Sequence, residues 1–253
     1  MATAKTIYTS YIQCINEERW HDLSKFASFP LNLNGETIPS PEALEDKLKA
    51  GERLQLDIDA ITADEQTQRL GAALLAKLQL KDSDNRAIDF IEQSIIWIEN
   101  GKICRVATTR DHDEVERQLA GVQHVPTPDL ISGYSTNNGL RDATGKVLST
   151  RELEDTYRAY IGCINAQTMA MELSRFCHSH VTHNATRLSL DEYRGLIQEA
   201  FTAVPDIVFG IDTVIADEEA QRVAVRLEFT GTPTGRLAGA EPTGRSGELL
   251  RYL

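Results

Sequence analysis

Apolar residues at Tyr8, Tyr11, Ile12 and Ile15 follow the i, i+3, i+4, i+7 spacing of one helical face. The chain is therefore predicted to open with an amphipathic helix that packs one stripe on a core. A second short helix is expected over Trp20 to Phe29, carrying Leu23 and Phe26. A short strand, Phe29–Leu33, follows it and ends at the Asn34-Gly35 turn. Ser40 and Pro41 have the N-cap and first-turn chemistry of a helix that runs to about Ala50. The pattern then becomes that of strands: Leu54–Thr62, Arg69–Leu80, Ala87–Glu99 and Lys102–Thr109, the last two joined by an Asn100-Gly101 hairpin turn. Helices first and antiparallel strands afterwards give an α+β domain with helices on one face of a curved sheet.

The same pattern is written a second time. Tyr8, Tyr11, Ile12, Cys14, Ile15 and Asn16 return as Tyr157, Tyr160, Ile161, Cys163, Ile164 and Asn165. Leu23, Ser24 and Phe26 return as Leu173, Ser174 and Phe176, Asn34 as Asn184, and Ser40 as Ser189. The block from Ile58 to Glu65 returns as Ile211 to Glu218, followed in both by a Gln-Arg pair, Gln68-Arg69 and Gln221-Arg222. A period of about 150 residues means two whole domains rather than a solenoid. The domains are expected at 1–120 and 151–253, with a Gly-, Pro- and polar-rich linker over 121–150. Ser149, Thr150, Glu152 and Glu154 start the second copy's first helix. The second copy continues as helices 151–166 and 168–177, strand 178–184, helix 190–202 and strands 206–216 and 221–230. Thr232 to Gly247 is rich in glycine, and nothing after it resembles the Asn100-Gly101 hairpin, so the second domain is expected to lack its last two strands. Such a sheet would expose an unpaired edge that must be covered.

Composition narrows the function classes. With 253 residues, 41% of them hydrophobic and 25% charged, the chain suits a soluble protein with two cores. A net charge of −12 and the lack of a basic stripe argue against nucleic-acid binding. No run of 18 apolar residues occurs, and the N-terminus has no apolar signal region, so a cytoplasmic location without membrane insertion is expected. Of the four cysteines, Cys14 and Cys163 hold the same repeat position on an apolar helix face and read as small buried hydrophobes of a reducing compartment, with a disulfide or metal role as the alternative.

Certain residues resemble the SnoaL-like polyketide cyclase family of the NTF2-like superfamily. In the second copy these are His183-Asn184, Ser189 with Glu192, Tyr193 and Arg194, Pro205-Asp206, and Phe229, Gly231, Thr232 and Gly235 with Pro242 to Arg245. In the first they are Asn100 to Ile103, Asp111, and Gln118-Leu119. The resemblance implies two cone-shaped α+β barrels in tandem, each with helices closing a bent sheet around an apolar pocket, pairing as an intramolecular pseudo-dimer or a homodimer. It also implies a hydrophobic small-molecule substrate, with acid/base chemistry and no metal or organic cofactor. Other members of the superfamily are non-catalytic binding or dimerisation modules, so the fold alone leaves function open.

The resemblance assigns the acid/base pair to a His on the penultimate strand and an Asp at the end of the last one. Here those positions hold Gln93 and Asp111. Gln93 can orient a carbonyl but cannot move a proton. Asp111 can act as a base, or it can cap the terminal helix Asp113–Leu119. If Gln93 faces the pocket, strand alternation places Asp89 beside it, with Glu92 on the same strand as another carboxylate. Tyr11, Trp20 and His21 lie near the helical mouth, where core packing for the two aromatics and a surface position for His21 are the competing roles. His183 and Asn184 either line a pocket or form a turn. His178 and His180 would point the same way on a strand, but no third metal ligand has matching spacing. These features lead to the expectation of a cyclase or isomerase of a polyketide or terpenoid intermediate, including a pericyclic, Diels-Alder-type ring closure. A non-catalytic small-molecule-binding or dimerisation module is the alternative.

Overall fold

The structure is a computed structural model that describes residues 2–49, 53–80, 86–110, 112–123, 146–183, 186–236, 241–242, 244–245 and 247–252. The chain divides into two compact units, before and after the 139/140 boundary.

Unit 1 opens with α1 (Ala4–Asn16), whose N-cap Thr3 accepts from the Thr6 amide. Its stripe of Ile7, Tyr8, Tyr11, Ile12 and Ile15 is buried, as the spacing predicts. The expected second helix is a 3₁₀ segment, Trp20–Lys25, and β1 (Ala27–Leu33) begins two residues before the expected helix would end. Pro30 explains the early change, since the residue before proline is pushed toward extended backbone. Pro30 lies where the β1–β6 register shifts, between Ala27 and Asn32, and so interrupts no regular ladder. Asn34 and Gly35, both at positive φ, turn the chain into β2 (Glu36–Ile38). α2 (Pro41–Lys49) and the long strands β3 (Arg53–Asp64), β4 (Arg69–Gln79), β5 (Ala87–Glu99) and β6 (Lys102–Arg110) follow. Asn100 and Gly101, again at positive φ, form the predicted hairpin turn. α3 (His112–Leu119) ends the unit's described elements.

The sheet order is β2-β1-β6-β5-β4-β3, antiparallel except for the parallel β1–β6 pair. The core lies between α1 and one face of this sheet. Tyr8, Leu23, Leu31, Leu70, Leu74, Ile88, Phe90, Ile96, Ile98 and Ile103 all belong to it.

Unit 2 runs α4 (Thr150–Asn165), a short α5 (Met169–Glu172), a 3₁₀ turn (Leu173–Arg175), β7 (His180–His183), β8 (Thr186–Ser189), α6 (Leu190–Ala203), β9 (Val208–Asp217), β10 (Arg222–Gly231) and β11 (Gly247–Tyr252). α4 starts with a full capping box of Ser149 and Glu152, and α6 with one of Ser189 and Glu192. The predicted 168–177 helix is split into α5 and the 3₁₀ turn, and β8 is an element the sequence pattern did not suggest. The tail also departs from expectation. β11 pairs antiparallel with β10, giving a β11-β10-β9 sheet beside the β7–β8 hairpin. The tail therefore supplies a strand where none was expected.

The repeated residues make repeated bonds. The Asn16 side chain donates to Leu56 O and accepts from Leu56 N, each at 2.8 Å, while Asn165 does the same with Phe209 at 2.9 Å. Glu65 accepts from the Ala4 amide at the start of α1, and Glu218 from the Thr150 amide at the start of α4. Gln68 and Gln221 both sit at positive φ and donate to the backbone oxygens of Glu65 and Glu218.

Candidate functional site

In unit 1 the site is built on the inward face of β5. Ile88, Phe90, Ile96 and Ile98 share that face in the core, which places the intervening even positions Glu92 and Ser94 on it. Glu92 pairs across the ladder with Arg110, and the Arg110 guanidinium lies 3.7 Å from its carboxylate. The same guanidinium stands over the Phe90 ring at 5.3 Å. The Glu92 side chain is only 13% exposed, and burial raises its proton affinity above the usual carboxylate range, with Arg110 and then Thr108 offsetting part of the rise. Ser94 donates to the Thr108 hydroxyl at 3.1 Å, and Thr108 donates to Gln93 O at 3.1 Å.

α1 supplies the phenols. Tyr8 and Tyr11 are 1% and 6% exposed, with rings stacked at 6.3 Å. Burial pushes both hydroxyls well above the ordinary tyrosine range, the neighbouring Glu92 adds to the effect in both, and Ser94 hydrogen-bonds Tyr8. Both therefore remain proton donors near a carboxyl that holds its own proton more tightly than usual. Such a group can take a proton from an acidic carbon and return it.

The other predicted residues are distributed differently. Gln93 is half-buried and pairs with Ala73 and Thr109, and alternation puts its side chain on the face opposite Glu92. The premise that Gln93 faces the α1-lined interior is thus reversed, because the core residues of β5 occupy the even positions. Asp89 shares the Gln93 face by the same alternation, and its backbone is clasped by Gln118 of α3, which donates to Asp89 O at 2.5 Å and accepts from Asp89 N at 3.0 Å. Trp20 is buried in the core of unit 1, and His21 is exposed. Asp111 and Asn184 lie outside the described residues. Tyr8 and Arg110 were missed by the sequence reading. The available signal was the run Ile88, Phe90, Ile96 and Ile98 at even spacing, which marks Glu92 as an interior carboxylate.

Unit 2 gathers a second group. Tyr160 of α4 and Tyr193 of α6 join their hydroxyls in a hydrogen bond. The His183 ring on β7 lies 5.6 Å from Tyr193, and Phe176 lies 6.0 Å from Tyr160. Burial lowers the proton affinity of His183, which favours its neutral form. Burial also raises Tyr160 and Tyr193, and pushes Tyr157 up to about 12. His178 and His180 are exposed, and His178 precedes the strand. Several motif residues in this unit have a packing role instead. A Cβ on Gly231 would lie 2.6 Å from Val204 Cγ1 and 3.1 Å from Ile207 Cα, and one on Gly235 would lie 3.0 Å from Ala203 Cα. Asp206 accepts from the Thr232 amide at 2.6 Å and from its hydroxyl at 2.9 Å. Gly231, Thr232, Gly235 and Asp206 thus dock the segment after β10 onto the α6–β9 turn.

Residues 154–249 match the family model described as SnoaL-like polyketide cyclase. No curated protein matches the chain. Among solved structures, a SnoaL-like polyketide cyclase from Agrobacterium tumefaciens is 27% identical over 47% of this chain and 99% of its own, with a TM-score of 0.42. An epoxide hydrolase/cyclase-like enzyme of pyran-ring formation in the polyether salinomycin is 12% identical over 44% of this chain and 92% of its own, with a TM-score of 0.39. An NTF2-like protein of unknown function from Burkholderia pseudomallei is 10% identical over 46% and 97%, with a TM-score of 0.39. What the comparisons give is a likeness to the SnoaL-like polyketide cyclase family, carried by the family model over residues 154–249 of the second unit.

Proposed function

We propose that this protein is a small-molecule enzyme, a cyclase or isomerase acting on a hydrophobic polyketide- or terpenoid-type intermediate, built as two related α+β domains in tandem. The observation that carries the reading is the interior carboxylate of Glu92, with proton affinity raised by burial and Tyr8 and Tyr11 beside it. Glu92 takes the proton from a carbon next to a substrate carbonyl, and the tyrosine hydroxyls supply donors for the oxygen that gains charge. Arg110 holds the carboxylate in place from the neighbouring strand. Asp111, next in sequence to Arg110, is the second acid/base residue in this proposal. The recurring Asn16/Asn165 and Glu65/Glu218 bonds support the tandem reading. The likeness of residues 154–249 to the SnoaL-like polyketide cyclase family supports the substrate class.

The test compares the small molecules of the source organism with those of strains lacking the gene or carrying Glu92→Gln or Asp111→Asn. Accumulation of an uncyclised or isomeric precursor in both the deletion and the Glu92→Gln strain is expected. A normal profile in Glu92→Gln with a changed one in the deletion would contradict proton transfer by Glu92 and leave a pericyclic closure driven by substrate folding. The binding or dimerisation module is a second reading, favoured by Gln93: the position that the resemblance gives to a proton-transfer His holds an amide on the opposite face. An unchanged profile in every strain would select it.

A further inference from the structure

Glu92 and Ser94 are neighbours on the interior face of β5, and each has a polar residue opposite it on β6: Arg110 across from Glu92, Thr108 across from Ser94. Thr108 therefore stands diagonally next to Glu92 on the shared face. Its position is fixed through its own backbone. The Thr108 amide donates to Asn34 Oδ1 at 2.7 Å, and the Asn34 amide donates to Val106 O at 2.9 Å, so the turn after β1 holds this end of β6.

The two hydroxyls form a row. Ser94, only 4% exposed, donates to Thr108 Oγ1 at 3.1 Å, and Thr108 donates to the Gln93 carbonyl at 3.1 Å. Each end of the row meets an acid group: the Tyr8 phenol hydrogen-bonds Ser94, and the Glu92 carboxyl hydrogen-bonds Thr108. A hydroxyl both donates and accepts, and its hydrogen rotates to suit its neighbours. Thr108 thus has two acceptors within reach, the Gln93 carbonyl and the Glu92 carboxylate. Tyr8 is sealed in the core, whereas the Glu92 side chain keeps some exposure. Water reaches the carboxyl end of the row more readily than the phenol end.

We propose that Ser94 and Thr108 are a proton relay between Glu92 and Tyr8. The relay rests on the function proposed above and closes its cycle. When Glu92 has taken a proton from carbon and Tyr8 has given its own to the substrate oxygen, a carboxylic acid and a phenolate remain. Glu92 then passes its proton to Thr108 Oγ1, Thr108 passes its own to Ser94 Oγ, and Ser94 passes its own to the Tyr8 oxygen. Every O–H bond that breaks is matched by one that forms, no oxidant or reductant takes part, and the carboxylate and phenol are restored. A phenolate binds a proton far more tightly than a carboxylate, which drives the transfer in this direction. Neither hydroxyl touches the substrate; both act through the groups they connect.

The test needs no substrate, so its failure is separable from failure of the Glu92 chemistry, which the Glu92→Gln strain addresses. In a mixture of light and heavy water, tyrosine labelled with carbon-13 at Cζ gives separate NMR signals for its OH and OD forms, and the hydroxyl exchange rate is read from them. The Tyr8 and Tyr11 signals are those missing from Tyr8→Phe and Tyr11→Phe. Tyr11 is the internal control, since among the described residues neither Ser94 nor Thr108 bonds it. Thr108→Val and Ser94→Ala should each slow exchange at Tyr8 about tenfold, the rate equivalent of one hydrogen bond, and leave Tyr11 unchanged. Thr108→Ser, which keeps the hydroxyl, should restore the wild-type rate. A Tyr8 rate that is unchanged or faster in either variant, equal slowing at Tyr11, or no rescue by Thr108→Ser would overturn the relay.

Discussion

Glu92 illustrates how one position on a strand decides a site. The segment Ala87 to Glu99 has apolar residues on both of its faces: Ile88, Phe90, Ile96 and Ile98 at even positions, Ile91, Ile95 and Trp97 at odd ones. Its alternation alone is therefore ambiguous, and a one-residue error in phase moves every side chain to the other face. The resemblance puts Gln93 in the pocket-facing position, and this ambiguous alternation offers nothing against it. The Glu92 carboxyl binds its proton more tightly in the folded chain than in the unfolded one, so the folded state carries more protons above the ordinary glutamate range. Stability contributed by the protonated carboxyl is then lost as pH rises from that range through the folded value. Glu92→Gln removes this dependence. Its stability relative to wild type, measured by urea unfolding at a series of pH values, should increase with pH across the same window; a difference independent of pH would contradict the raised proton affinity. Gly231 gives a second prediction at this scale. A Cβ there would be 2.6 Å from Val204 Cγ1, so Gly231→Ala should destabilise unit 2 by about 1–3 kcal/mol, read from its unfolding midpoint.

At the scale of elements, local signals worked where a single residue type enforces a conformation. Asn34-Gly35 and Asn100-Gly101 are turns because both positions take positive φ. Ser149 and Ser189 cap helices because each is followed three residues later by a glutamate that completes the box. Signals failed for β8 and β11, which are short and lack a clear alternation, and for the 3₁₀ segment after Trp20, whose apolar residues suit either helix type. The asparagines that tie the first helix of each unit to a strand were visible only as repeated letters, since a side chain bonding both N and O of one distant residue leaves no local pattern. Asn16→Ala removes two partly buried bonds to Leu56, while Asn165→Ala removes two more exposed ones to Phe209. The first should cost about 1–3 kcal/mol and the second less, because the groups left behind in unit 2 can reach water. Urea unfolding of the two variants checks the order.

Across the whole molecule, the residues that recur in the sequence lie at constrained places: the helix stripe, the strand-tying asparagine and the positive-φ turn glutamine. The fate of each interior was not legible, since the same tyrosines are sealed in one unit and half-exposed in the other. Unit 1 buries long strands on both sides of β5 in a six-stranded sheet, whereas the larger sheet of unit 2 has three strands and a smaller core. Amide hydrogen exchange should therefore protect β4 and β5 more strongly than β9 and β10, and equal protection would contradict the difference in core size. No helix among the described residues is long and apolar enough to cross a membrane. The proposed chemistry rests on the state of one carboxyl group in unit 1. Its direct measurement is a carbon-13 NMR titration of the glutamate carboxyl signals, with Glu92 assigned as the resonance missing from Glu92→Gln. A midpoint clearly above the ordinary value of about 4.3 for glutamate is the predicted result. A midpoint at or below it would show that Arg110 outweighs burial, and Glu92 would then be a structural ion-pair partner rather than a proton-transfer group.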